Sequence, residues 1–227
     1  MSGRTQKHDN RATRLITSIL GVALAVGAFH HGFFEFLQGN TATDGILIQA
    51  IGEQHRYWIH GTEEAITIIP NFLFTGLLAM AISVFAAVWS VKYINTKRGS
   101  SVFLSTFIVL TLVGGGLAHI VFFLPVWAYS TRKDRSLDFW NKLFPKNIRR
   151  VLGQIWPFSA ALVVISFVIA LEISIFGYVP GVDNPELILA ICWGLLGLAW
   201  VLIQASYLSG FAYDIENRRA HNELAPT

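Results

Sequence analysis

The sequence contains one cysteine, Cys192, and few charged residues. A lone thiol excludes a disulfide framework, a CxxC redox pair and a cysteine-rich zinc site. Only 14% of the residues are charged, against about 25% in an average soluble domain. Hydrophobic residues make up 53%, and the mean hydropathy is +0.52. This balance excludes disorder, a nucleic-acid-binding module and an ordinary soluble enzyme. It points to a polytopic membrane protein. No nucleophile elbow is present, so Ser/His/Asp catalysis has no support. Internal repeats and low-complexity tracts are also missing. The net charge of +3 says little, but the placement of the basic residues says more.

Five apolar stretches stand out. The first, 15–37, follows Arg4, Lys7, Arg11 and Arg14 and reads as an uncleaved signal-anchor helix. Stretches 65–91, 157–178 and 186–211 each have the roughly 20 residues that cross about 30 Å of hydrocarbon. The third stretch, 101–128, does not fit. As one helix it would run about 42 Å and need a tilt near 45°, yet it is too short for two crossings. Gly114, Gly115 and Gly116 lie at its centre, and glycine disfavours helix.

Positive charge discriminates between the two topologies. If all five stretches cross with the N-terminus inside, Lys and Arg divide 7 inside to 10 outside. If 101–128 enters and returns on one side, only Arg56 of the 17 basic residues is outside. The second division obeys the positive-inside rule. The expected fold is therefore an all-α membrane protein of the bacterial inner membrane. It has four transmembrane helices and a re-entrant helical hairpin broken at Gly114, Gly115 and Gly116, with both termini cytoplasmic. The alternative is five transmembrane helices, with glycines that merely allow close packing.

Between the spans, His55, Tyr57, Trp58 and His60 read as a membrane-interface belt. Thr62 with Glu63 and Glu64 reads as a helix start. Segment 131–150 mixes Leu137, Phe139, Trp140, Leu143 and Phe144 with basic residues. It is expected to lie on anionic lipid through Lys142, Lys146, Arg149 and Arg150. The tail 217–227 is polar and expected to be loose.

Ionisable groups inside a span usually face a protein interior or cavity. The candidates are His30, His31, Glu35, His119 and Glu172, with Asn71 as an uncharged companion beside Pro70. Helix rise puts His30, Asn71, Glu172 and the glycine tip about 8–10 Å below the outer boundary. His31 and Glu35 are i and i+4, so they share a face, while His30 is turned about 100° away. The returning half-helix would aim free amides from the glycine tip into the site, favouring an anion or a carbonyl oxygen. The two carboxylates favour protons or metal ions. His31, Glu35, His119 and Glu172 are suitable ligand types for a divalent zinc or iron ion. A haem between His119 and His30 or His31 is disfavoured. The bland alternatives are a structural His31–Glu35 pair, a Glu172 carboxyl hydrogen-bonded to a neighbour, and a helix kink at Pro70 filled by Asn71.

His31-Gly32, Glu35, Gln38-Gly39-Asn40, Ile69-Pro70-Asn71-Phe72, Thr75-Gly76 and Leu78-Ala79 form a set with Val113-Gly114-Gly115-Gly116, Trp156-Pro157, Gly210-Phe211-Ala212 and Asp214. The set resembles a group of small, uncharacterised bacterial integral membrane proteins of similar length. In that group the glycine triplet is followed by Phe-Gly-Pro-Pro, whereas here Leu117-Ala118-His119 follow. The resemblance implies an architecture and no reaction. The expected function is binding or permeation of a small ion, a proton-coupled solute or a lipid headgroup. The alternatives are an accessory subunit of a larger complex, or a homo-oligomer, packed through Gly194, Gly197 and Gly210, and a metal-dependent membrane enzyme.

Overall fold

The structure is a computed structural model that describes the backbone of residues 8–224 and the side chains through residue 220. Arg4 and Lys7 lie outside the described residues. The chain forms α1 (Arg11–Leu37), β1 (Leu47–Gln49), β2 (Glu64–Ile66), α2 (Phe72–Lys92), α3 (Gly99–Leu112), α4 (His119–Ser130), α5 (Asp138–Leu143), α6 (Lys146–Phe176) and α7 (Pro185–Leu224). Four of these helices, α1, α2, α6 and α7, are long and apolar enough to cross a membrane. The all-helical membrane fold expected from the sequence is the one observed, and the protein is a multi-pass membrane protein.

The end of the bundle where α1 starts is here termed proximal, and the other end distal. Helices α1 and α6 run from proximal to distal, and α2 and α7 return. The α1–α2 contact is close because Gly76 lies against the backbone of Gly32 and Phe36, where a methyl group has no room. α3 and α4 are too short to follow the long helices. They rise from the proximal end, turn at residues 113–118 and come back. Asn10 shows where the return ends: its amide donates to Lys133 O at 3.0 Å, and its side chain donates to Arg132 O at 2.6 Å and Arg135 O at 2.9 Å.

The tip of this hairpin is held by backbone pairing. β1 and β2 form an antiparallel ribbon, and the chain after β2 runs on to the tip. Thr67 bridges Val113, Gly114 N donates to Ile66 O at 2.8 Å, and Leu117 N donates to Glu64 O at 3.0 Å. The Thr75 hydroxyl donates to Val113 O at 2.7 Å. Gly114 and Gly116 have φ of +96° and +91°, a region other residues rarely enter, so the turn requires glycine there.

Several boundaries differ from those expected. The second span starts at Phe72 and not at 65, because 64–68 pair as extended chain. Asn71 therefore caps α2, accepting from Phe74 N at 3.3 Å, and does not lie inside a span. The fourth span starts at Lys146, and Pro157 is accommodated inside it. Residues 217–224 continue α7 where a loose tail was expected, and 225–227 lie outside the described residues. Lys142, Lys146 and Arg150 are exposed, but Arg149 is only 2% exposed. It turns inward to pair with Glu216 and to donate to Asn141 Oδ1 at 2.8 Å, so it is not available to lipid.

The core is continuous and apolar in the proximal two-thirds of the bundle. Leu20, Leu24, Phe103, Phe107, Phe122, Phe123 and Val126 are buried together under α1, α3 and α4. At the proximal end Asp214 of α7 caps α1. Its carboxylate accepts from Ala12 N at 2.9 Å, Thr13 N at 3.1 Å and the Thr13 hydroxyl at 2.8 Å.

Candidate functional site

The polar residues meet at the distal end, above that apolar core. α1 brings His31 and Glu35 inward on one face, one helical turn apart. His31 is 4% exposed and Glu35 is fully buried. His30 points elsewhere: it is half-buried, and its Nδ1 lies 2.9 Å from Val26 O on its own helix. α4 begins at His119, which is buried against the His31 ring at a centroid distance of 5.3 Å.

The glycine tip makes this convergence possible. A Cβ on Gly116 would lie 2.5 Å from His31 Nε2 and 2.7 Å from His119 Nδ1. A Cβ on Gly114 would collide with both Glu35 carboxylate oxygens. Both imidazoles and one carboxylate thus press on backbone that has no side chain.

The fourth member is Glu63, whose sequence context is that of a helix-start acid. It lies just before β2, and the β-ribbon swings it over α1. Its carboxylate pairs with His31 Nε2, and the Ser174 hydroxyl of α6 donates to its other oxygen at 2.5 Å. Burial alone would raise the Glu63 carboxyl, but His31 and Ser174, helped by His119, outweigh that and hold it at about 2. Trp58 covers this corner, packing on Gly177 and donating its indole N–H to Ser174 O at 2.9 Å.

Hydrogen bonding in the cluster is incomplete. Both Glu35 oxygens, both His119 ring nitrogens and His31 Nδ1 are buried and have no partner among the described residues. Buried polar atoms are normally satisfied, and an unpartnered one costs about 1–3 kcal/mol. Five such atoms around one turn are a concentration that packing alone does not explain.

Of the residues singled out from the sequence, the structure brings together His31, Glu35, His119, Gly114 and Gly116. Gly115 belongs to the turn, where its amide donates to Leu110 O at 2.7 Å. Asn71 stands apart, bonded to Asn40 Oδ1 at 2.8 Å. Glu172 is exposed on the outside of α6 and does not reach the cluster. The expected ligand set of His31, Glu35, His119 and Glu172 is therefore not assembled. Among the described residues, no three His, Cys, Asp or Glu side chains already surround a metal position. The expected anion cradle is also lost. The amides of Gly114 and Leu117 are taken by carbonyls of 64–66, which form a strand and not the first turn of a helix, and that of Gly115 is taken by Leu110 O.

A shallow opening lined by His30, His31, Phe34, Ile51, Glu63 and Leu171 leads to the cluster from the distal side. It has room for about one water-sized ligand. On the proximal side His119 rests against Phe167, with ring centroids 6.1 Å apart, and the apolar core begins.

These features define a class: a helical, multi-pass membrane protein with a buried His/Glu cluster at the tip of a broken-helix hairpin. The chain matches no protein-family description, no curated protein and no solved structure.

Proposed function

We propose that the protein binds or passes a small ion in the bacterial inner membrane. The hairpin is re-entrant from the cytoplasmic side and both termini are cytoplasmic, so the cluster occupies the outer half of the bilayer. The positive-inside distribution supports this orientation. Exposed Lys142, Lys146 and Arg150 then face anionic lipid.

One observation carries the reading. Glu35 and His119 are buried at membrane depth with none of their four polar side-chain atoms partnered. Ionisable groups are tolerated there chiefly where they serve an ion or proton pathway. Broken helices at that depth likewise line sites in transporters. The opening favours a single ion over a lipid headgroup or an organic solute, which need more room.

The test is flux into liposomes carrying the purified protein, followed with a pH-sensitive dye and with imposed K⁺ and Na⁺ gradients. Glu35→Gln and His31→Ala are expected to reduce the flux at least tenfold, and Glu172→Gln to leave it unchanged. Equal flux in all four proteins would sink the assignment.

A second reading, an accessory subunit, has one feature in its favour. Gly194 and Gly197 on α7 have open space beside them, and the neighbouring Trp193 is exposed. It predicts co-purification with a larger membrane complex.

A further inference from the structure

The donor atoms, their charge and the available space together narrow the ion. We infer that the cluster takes one divalent transition-metal ion from the distal side, with His31 Nε2, His119 Nδ1 and the Glu63 carboxylate as ligands and Glu35 as the buried counter-charge. The inference rests on the small-ion reading above and specifies its ligand.

Geometry is the first support. His31 Nε2 and His119 Nδ1 both lie within 2.7 Å of one point beside Gly116, so no more than about 5 Å separates them. The Glu63 carboxylate already touches His31 Nε2. Nitrogen ligands of a tetrahedral ion stand about 3–3.5 Å apart, given metal–nitrogen distances near 2.0–2.1 Å. The three donors are not closed around a metal position, and closing them requires side-chain rotation.

Proton placement is the second support. In the ion-free pairing, His31 Nε2–H donates to Glu63. His31 Nδ1 has no partner, so moving the proton there breaks no other bond and frees Nε2 as a ligand. His119 has the same freedom. With Nδ1 on the metal, its proton sits on Nε2, which faces the missing Cβ of Gly27 and has no acceptor to lose.

Charge is the third. The Glu63 carboxylate attracts a cation, and the buried Glu35 carboxyl can release its proton when a dication arrives, so that the charges balance in a low-dielectric site. Mixed imidazole and carboxylate donors suit zinc, iron, cobalt and manganese better than sodium or calcium, which take oxygen ligands alone. Three of the tip amides, those of Gly114, Gly115 and Leu117, are bonded to backbone carbonyls, which disfavours an anion.

The experiment uses tag-free, full-length protein in detergent, stripped with EDTA and titrated with Co²⁺ and with Zn²⁺. Co²⁺ absorption reports the ligand field, calorimetry the affinity, and elemental analysis the stoichiometry. The expected result is one equivalent bound, with a visible band of a four- or five-coordinate nitrogen and oxygen site. His119→Gln and Glu63→Gln should each weaken binding at least tenfold, and Glu172→Gln should not. Each variant is first shown to be monodisperse. If Glu63→Gln fails to fold, His119→Gln carries the same expectation. No stoichiometric binding to the wild type, or binding indifferent to these substitutions, overturns the inference. Ion flux without metal binding removes the metal and leaves permeation standing. Metal binding without flux does the reverse.

Discussion

Glu63 shows how much one side chain contributes to this site. It is acidic and semi-exposed, and its neighbours Thr62 and Glu64 give it the look of a helix cap. In place it holds His31 from outside the span and is itself held by Ser174. Its carboxyl lies at about 2 in the folded protein against 4.5 for a free group. A lowered folded value means stabilisation that is complete above about pH 4.5 and is lost as the pH falls towards 2. Glu63→Gln is therefore expected to lower the melting temperature at pH 7 by roughly 2–8 °C, the effect of about 1–2 kcal/mol in a chain of this size. The gap to wild type should close as the pH drops from 4.5 towards 2. A constant gap across that range would show that the His31–Glu63 pairing is not what stabilises the corner.

Two elements are placed by partners far away in sequence. The start of α1 has no side-chain cap of its own, since the Asn10 side chain bonds the loop after α4 and Arg218 of α7. Asp214 supplies the cap from α7, satisfying two backbone amides and a hydroxyl. Asp214→Ala leaves those donors buried and unpaired, at a cost of about 2–4 kcal/mol. Asp214→Asn keeps one acceptor and should cost less. Chemical denaturation in mixed micelles measures both. A loss below about 0.5 kcal/mol for the alanine variant would mean that the cap is not needed. The hairpin tip is held in the same non-local way. Residues 64–68 give up helix to pair with 112–117, and Thr75 closes the joint. Without those bonds the buried turn amides would be bare, which a nonpolar interior does not tolerate.

At the scale of the whole molecule, the hairpin decides on which side the loop before α6 lies. The single native cysteine is buried, so introduced thiols can be labelled against a low background. Ser136→Cys, on the exposed loop after α4, is expected to react only from the cytoplasmic side. Asp44→Cys, on the loop after α1, should react only from outside. Labelling of Ser136→Cys from outside would convert the hairpin into a crossing and separate His119 from His31.

Hydropathy, the run of three glycines and the lopsided placement of Lys and Arg were enough to establish class, span number and hairpin, because each acts locally or through bulk solvent transfer. The i, i+4 spacing was enough to put His31 and Glu35 on one face, and His119 followed from the hairpin. Tertiary structure alone decided the rest. It drew Glu63 in through an extended strand that reads as the start of a helix, and it turned Glu172 and Arg149 in directions their sequence neighbourhoods do not indicate. The physical reason is that a side chain's direction depends on hydrogen bonds and ion pairs made with distant segments, here 64–68 with 112–117 and Arg149 with Glu216. Local pattern carries no record of those bonds.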